Sequence, residues 1–187
     1  MAGGRFVTRI ESFSRGRPIT TMPITIGGVP KLQLLEQVKK VRYLSPYADR
    51  IIRQEAFTTL EQPETAIQII LTVRDFGFTE MAHVADLLNS ERLSRWSDTH
   101  LDGWEVTLNP AEAGPHLAIQ YTDQPVDEFL WMAMDRIIGH AGRPYLFYIE
   151  RDDDEVFSLD SHWMYPAAPW PLHYIVAFRL RQKDITR

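Results

Sequence analysis

Phe129-Leu130-Trp131-Met132-Ala133-Met134 can be strand or helix, and the topology of the chain turns on which it is. Six consecutive apolar residues fit a buried strand as well as a helix continuing to Ile138, because periodicity alone does not separate the two. As a helix, the stretch makes residues 66–150 read β-α-β-β-α-β, the ferredoxin-like order. As a strand, it turns Thr122–Glu128 into a hairpin loop and makes the body mainly an antiparallel meander. We read it as a strand.

Downstream, Tyr145–Ile149 and Val156–Leu159 flank the acidic tip Arg151–Asp154, which reads as a hairpin turn. Leu172–Leu180 supplies a last strand and Arg181–Arg187 a polar tail. Upstream, Ile67, Ile69, Leu71 and Val73 alternate with Gln68 and Thr72, the clearest strand signal in the chain. Asp75–Phe78 turns, Thr79 can cap, and Met81, Val84, Ala85, Leu88 and Leu93 place an apolar face on one helix of about fifteen residues. Trp104, Val106 and Leu108 alternate before Asn109-Pro110, and Leu117, Ile119 and Tyr121 alternate after Gly114-Pro115, predicting two short strands. Residues 61–187 therefore read as an α+β body, a mostly antiparallel sheet with one packed amphipathic helix.

Two further units precede it. Residues 1–30 hold four Arg, five Gly and three Pro, and read as an extended basic arm with a short strand near Thr20–Ile26. Residues 31–60 read as two short helices. Pro30 suits a helix start and is followed by Leu34, Leu35, Val38 and Val41 at helical spacing. Ser45-Pro46 then signals an N-cap and first position, with Tyr47, Ile51 and Ile52 on the next apolar face, to about Phe57.

Charge is divided unevenly along the chain. Residues 1–57 carry ten Lys/Arg against four Asp/Glu, while residues 58–187 carry ten against twenty-one. A basic leader on an acidic body points to an anionic partner, a protein partner or contact with the body itself. The absence of cysteine excludes disulfides and thiol chemistry. No apolar run reaches membrane-spanning length and Met1–Ile10 lacks a signal-peptide core, so a cytoplasmic protein without membrane contact is expected. No motif calls for a cofactor or a metal, and none is expected.

Gly114-Pro115-His116-Leu117-Ala118-Ile119-Gln120-Tyr121-Thr122-Asp123-Gln124-Pro125 resembles a segment shared by a group of small uncharacterised bacterial proteins. Val73–Phe78, Leu108–Glu112 and the Ser45-Pro46-Tyr47-Ala48 region are similar to that group's flanking patterns, so the likeness covers about residues 30–180. It implies a β-rich fold and a bacterial setting, and no function. Where those proteins often carry Cys before the Pro of the second pattern, this chain has Asn109, so a cysteine-based chemistry does not carry over. A helicase label attached to some of them finds no phosphate-binding loop here.

Three groups of residues could act. Glu112, His116 and Asp123 could form a small catalytic site, with His116 as general base and a carboxylate fixing its tautomer, although turn chemistry alone accounts for Asp, Gly and Pro there. Trp163, Tyr165, Trp170, His173 and Tyr174, interleaved with prolines, suit a partner or ligand surface as well as a lid over the core. Arg5, Arg9, Lys39, Lys40 and Arg42 could hold phosphates, against interruption by Glu36, Asp49 and Glu55. Asp152–Glu155 lacks the spacing of a calcium loop, and Asp160, His162 and His173 are too weakly patterned for a metal site. The expected function is a non-catalytic interaction protein that docks a protein partner or a second copy of itself through its arm and aromatic–proline segment. The alternatives are a nucleic-acid-associated protein using the basic N-terminal third, and a small enzyme centred on His116 and Asp123.

Overall fold

The computed structural model of the chain describes residues 20–139 and 142–183. Arg5, Arg9 and the rest of residues 1–19 lie outside the described residues. The elements run β1 (Thr20–Ile26), α1 (Lys31–Val41), β2 (Tyr43–Leu44), α2 (Pro46–Ile52), β3 (Glu64–Thr72), β4 (Ala82–His83), α3 (Val84–Leu87), α4 (Ser90–His100), β5 (Trp104–Thr107), α5 (Ala113–Gln120), β6 (Glu128–Met132), β7 (Ile137–Ile138), β8 (Pro144–Arg151), β9 (Phe157–Trp163), β10 (Pro169–Trp170) and β11 (Ile175–Gln182). The sequence Phe129–Met132 is strand, inside β6.

Among the described residues, nine strands form one sheet in the order β1-β3-β11-β6-β8-β9-β2, with β5 also on β11 and β7 also on β8. The sheet is mixed, which corrects the expected antiparallel meander: β6 runs parallel to β11, and β2 parallel to β9. Its remaining ladders are antiparallel. The cause is a crossover. After the β8–β9 hairpin the chain returns over the sheet through residues 164–174 and enters β11 on the far side of β6. Parallel neighbours always require such a connection.

Local signals explain most helix boundaries. Ser45 caps α2, accepting the Ala48 N–H at 3.0 Å, with Pro46 at the first position. The expected single helix after Thr79 is instead α3 and α4, broken at Asn89, whose side chain caps α4 by accepting the Arg92 N–H. The expected strand through Leu117, Ile119 and Tyr121 is a helix, α5. Pro115 falls in its first turn, where no N–H is needed, and Ala113–Ala118 are buried all round, so the alternation of the sequence does not mark one face. Among the described residues there are thus five α-helices: the two short ones expected, α1 and α2, and α3, α4 and α5 where one amphipathic helix was expected.

The two faces of the sheet are covered differently. One packs on α1, α2 and α5: Phe147 meets Phe57 edge-on at 6.1 Å between ring centroids, and the Gly114 backbone lies against the same ring. A Cβ at Gly114 would sit 3.1 Å from the Phe147 Cβ, which is why glycine stands there. On the other face α4 covers the β3–β11 end, with Phe76 5.0 Å from both Trp96 and Phe178, and the crossover covers β6. A single core cluster runs from Ile24 to Leu180 and includes the apolar faces of α1 and α2.

The β1 edge is blunted. Pro23 lacks an N–H, and the Gln120 side-chain amide imitates a neighbouring strand by pairing with both the N–H (2.9 Å) and C=O (2.7 Å) of Thr25. No helix among the described residues is long and apolar enough to cross a membrane.

Candidate functional site

Strand alternation assembles an aromatic surface from β6, β8 and β9. Phe129 and Trp131 share a side of β6, Trp131 lies opposite Tyr148 and Phe129 opposite Glu150, and Tyr148 lies opposite Asp160. These five side chains therefore stand on one face. Phe129 and Tyr148 stack at 4.1 Å, and Trp131 lies 5.0 Å from Tyr148. The crossover forms the other wall, bringing Met164, Ala168, Pro169, Trp170 and Tyr174 over the strands. Trp170 packs 5.0 Å from Trp131. Between the walls lies a cleft of about 250 Å³, with His162 at its margin.

Polar groups in and beside this cleft are only partly satisfied. The indole Nε1–H groups of Trp131 and Trp170 are buried and have no acceptor. Native proteins leave few buried donors unpaired, so two on one cleft mark it out. The Tyr148 hydroxyl donates to Asp160 Oδ2 at 3.1 Å, while Asp160 Oδ1 accepts from the Ser45 hydroxyl and the Ser161 N–H. Burial, then the Asp160 charge, hold the Tyr148 phenol well above its ordinary range, so it stays a proton donor. Burial also raises the Glu150 carboxyl, with Asp152 and Asp160 adding to the effect. Among the described residues, no Lys or Arg lines the cleft. The cleft presents aromatic rings to a bound group, with the Glu150 and Asp160 carboxylates beside it on the same sheet face.

No family model, curated protein sequence or solved structure matches this chain. The site is therefore read from its own geometry.

Of the five aromatic–proline residues expected to face a partner, the cleft takes Trp170 and Tyr174. Trp163 and Tyr165 pack on each other at 4.3 Å, with the Arg143 guanidinium over the Trp163 ring, and His173 is exposed against Tyr174. Phe129, Trp131, Tyr148, Glu150 and Asp160 are not recognisable as a binding group in the sequence. Alternation on β6 and β8 is the available signal, but only the register between strands puts these residues together.

Glu112 and His116 do meet. Glu112, at the N-cap of α5, lies one turn before His116, with Glu112 Oε2 3.6 Å from His116 Nε2. Glu112 Oε1 accepts the Leu60 N–H at 2.9 Å, tying the α2–β3 loop to the start of α5. Both side chains are buried and neither lines the aromatic cleft. Asp123 stands on the exposed turn beyond the helix end. Among the described residues, no group of three or more His, Asp or Glu is arranged to hold a metal ion.

The basic residues divide in the same way. Arg42 is 6% exposed. It donates through Nε to Ala118 O, through Nη2 to Tyr121 O (2.6 Å) and through Nη1 to Gln124 Oε1 (2.9 Å), with its guanidinium 4.8 Å from the Phe157 ring. It thus closes the C-terminal carbonyls of α5. Desolvation pulls its pKa down to about 10, which still leaves it charged at neutral pH. Lys39 is exposed and paired with Glu36 and Asp49, and Lys40 is exposed. A second, shallower depression of about 580 Å³ beside β2 is lined by Tyr43, Leu44, Pro46, Asp49, Arg50 and Arg53.

Proposed function

We propose that this is a non-catalytic interaction protein whose partner, another protein, seats a side chain in the aromatic cleft between β6, β8 and residues 164–174. The observation behind this reading is the pair of buried indole N–H groups without acceptors on an aromatic-lined cleft. Buried tryptophan and tyrosine beside an open cleft are the commonest anchors of protein interfaces, because large apolar area comes with few rotamers to freeze. At about 250 Å³ the cleft is smaller than the roughly 300–1,000 Å³ of pockets that enclose a whole small molecule, and suits one side chain.

The test is affinity capture from the native cell lysate, with and without nuclease, comparing the full chain with the Phe129→Ala/Tyr174→Ala double variant. Both residues are half-buried and line the cleft, so the sheet should survive, and circular dichroism checks that it does. A defined protein that resists nuclease and is lost with the cleft variant supports the reading. Recovery only of nuclease-sensitive nucleic acid, independent of the cleft, would replace it with the nucleic-acid alternative.

A further inference from the structure

Resting on that reading of the cleft as a partner site, we propose that the group it seats is a cation, the guanidinium or ammonium of an arginine or lysine side chain on the partner. Three observations converge. First, Phe129, Trp131 and Tyr148 gather their rings within 4.1–5.3 Å of one another at the cleft. The faces of such rings are electron-rich, and a cation within about 6 Å of a centroid is attracted to them, most strongly when desolvated.

Second, the carboxylates on this face lack counter-ions. Glu150, cross-strand from Phe129 and two residues from Tyr148, is half-buried and makes no side-chain hydrogen bond or ion pair among the described residues. Asp160 accepts only from neutral donors, the Tyr148 and Ser45 hydroxyls and its neighbour's N–H. The two repel each other, consistent with the raised Glu150 carboxyl. Glu150 and Asp160 are both half-buried and stand on the same sheet face as the rings.

Third, no Lys or Arg of the described residues lines the cleft. Glu150 and Asp160 do not line the cleft but stand beside Phe129 and Tyr148 on the same sheet face, so an anion in the cleft would be repelled and a neutral group would leave their mutual repulsion in place. A cation lowers both terms at once.

The experiment follows the indole N–H signals of Trp131 and Trp170 by NMR in the full chain at pH 8, each signal assigned with its Trp→Phe variant. The probes are N-acetyl-argininamide, N-acetyl-lysinamide and N-acetyl-citrullinamide, the last a neutral isostere of the first. Both cations should move both signals, bind at least tenfold more tightly than the citrulline compound, and weaken as salt rises. Glu150→Gln should weaken the cations at least threefold and leave the citrulline compound unchanged, with Asp160→Asn as the second variant. Citrulline binding as tight as arginine, or cation binding indifferent to both variants, overturns the cation while the cleft remains the partner site. Silence with every probe, beside capture that still depends on the cleft, also overturns the cation. Silence together with cleft-independent capture removes both readings.

Discussion

Replacing Arg42 with methionine should destabilise the protein by about 3–5 kcal/mol, because three buried acceptors lose a charged donor. Methionine keeps most of the apolar stem, so the loss is polar. The three acceptors left behind are the Ala118 and Tyr121 carbonyls and Gln124 Oε1. Each hydrogen bond to a charged donor contributes roughly 1.5–3 kcal/mol, part of which water or small shifts recover. Gln124 cannot turn its oxygen elsewhere, because its Nε2 is already held by the Glu128 and Ile149 carbonyls at 3.0 and 3.3 Å. For a chain of this size each kcal/mol lowers Tm by about 2–4 °C, giving a fall of roughly 6–20 °C. Since Arg42 keeps its charge until the pH approaches about 10, the loss should be the same across the neutral range. Urea melts followed by tryptophan fluorescence and circular dichroism measure it, beside Lys39→Met, whose exposed ion pairs with Glu36 and Asp49 contribute at most about 1 kcal/mol. Arg42→Lys should recover little, because one ammonium cannot reach three separated acceptors. An Arg42→Met melt indistinguishable from Lys39→Met would refute the role of Arg42 as the closure of α5.

Gly114→Ala should cost about 1–3 kcal/mol, since its Cβ would press on the fully buried Phe147 ring at 3.1–3.3 Å; a melt at the wild-type midpoint would show that the ring yields freely. Gln120→Ala should free the Thr25 N–H and C=O, cost about 1 kcal/mol and cause concentration-dependent self-association through β1; sedimentation showing only monomer at high concentration would rule out the edge-guard role. Glu150 has a folded pKa above its ordinary 4.5, so its contribution to stability is greatest in acid and is lost as pH rises from 4.5 through the folded value. Glu150→Gln should therefore be at least as stable as the parent at pH 7, with the difference closing at pH 4; a variant less stable at pH 7 contradicts the desolvation account.

Features carried by neighbouring residues are legible in the amino-acid sequence alone. The Ser45-Pro46 cap needs only a hydroxyl and the following backbone, and it forms where the sequence predicts it. The β8–β9 hairpin forms around its acidic tip as well, with Asp152 accepting the Val156 N–H across the turn. The apolar run at Phe129–Met132 is strand, as a meander would require, yet the meander itself is not the topology. Where two periods compete, the outcome is set by surroundings. Residues 117–121 alternate in sequence but lie in and at the end of a helix whose residues 113–118 are all buried, where alternation conveys nothing about a face.

The candidate site divides along the same line. Composition singles out the aromatic–proline segment, and two of its five named residues line the cleft. Composition cannot supply the opposite wall, because Phe129, Trp131, Tyr148, Glu150 and Asp160 are spread over three strands whose register is a long-range fact. It also groups Arg42 with the surface cations, since a guanidinium reads alike whether it faces water or three carbonyls. By itself the sequence determined the basic-to-acidic charge division, the exclusion of cysteine chemistry, and the caps and turns. Which strand β11 flanks, the passage of residues 164–174 over the sheet to reach it, and the aromatic cleft beneath them follow from long-range packing. The physical reason is that caps and turns are hydrogen bonds between residues a few positions apart, whereas strand order and charge pairing depend on which distant side chains exclude water together.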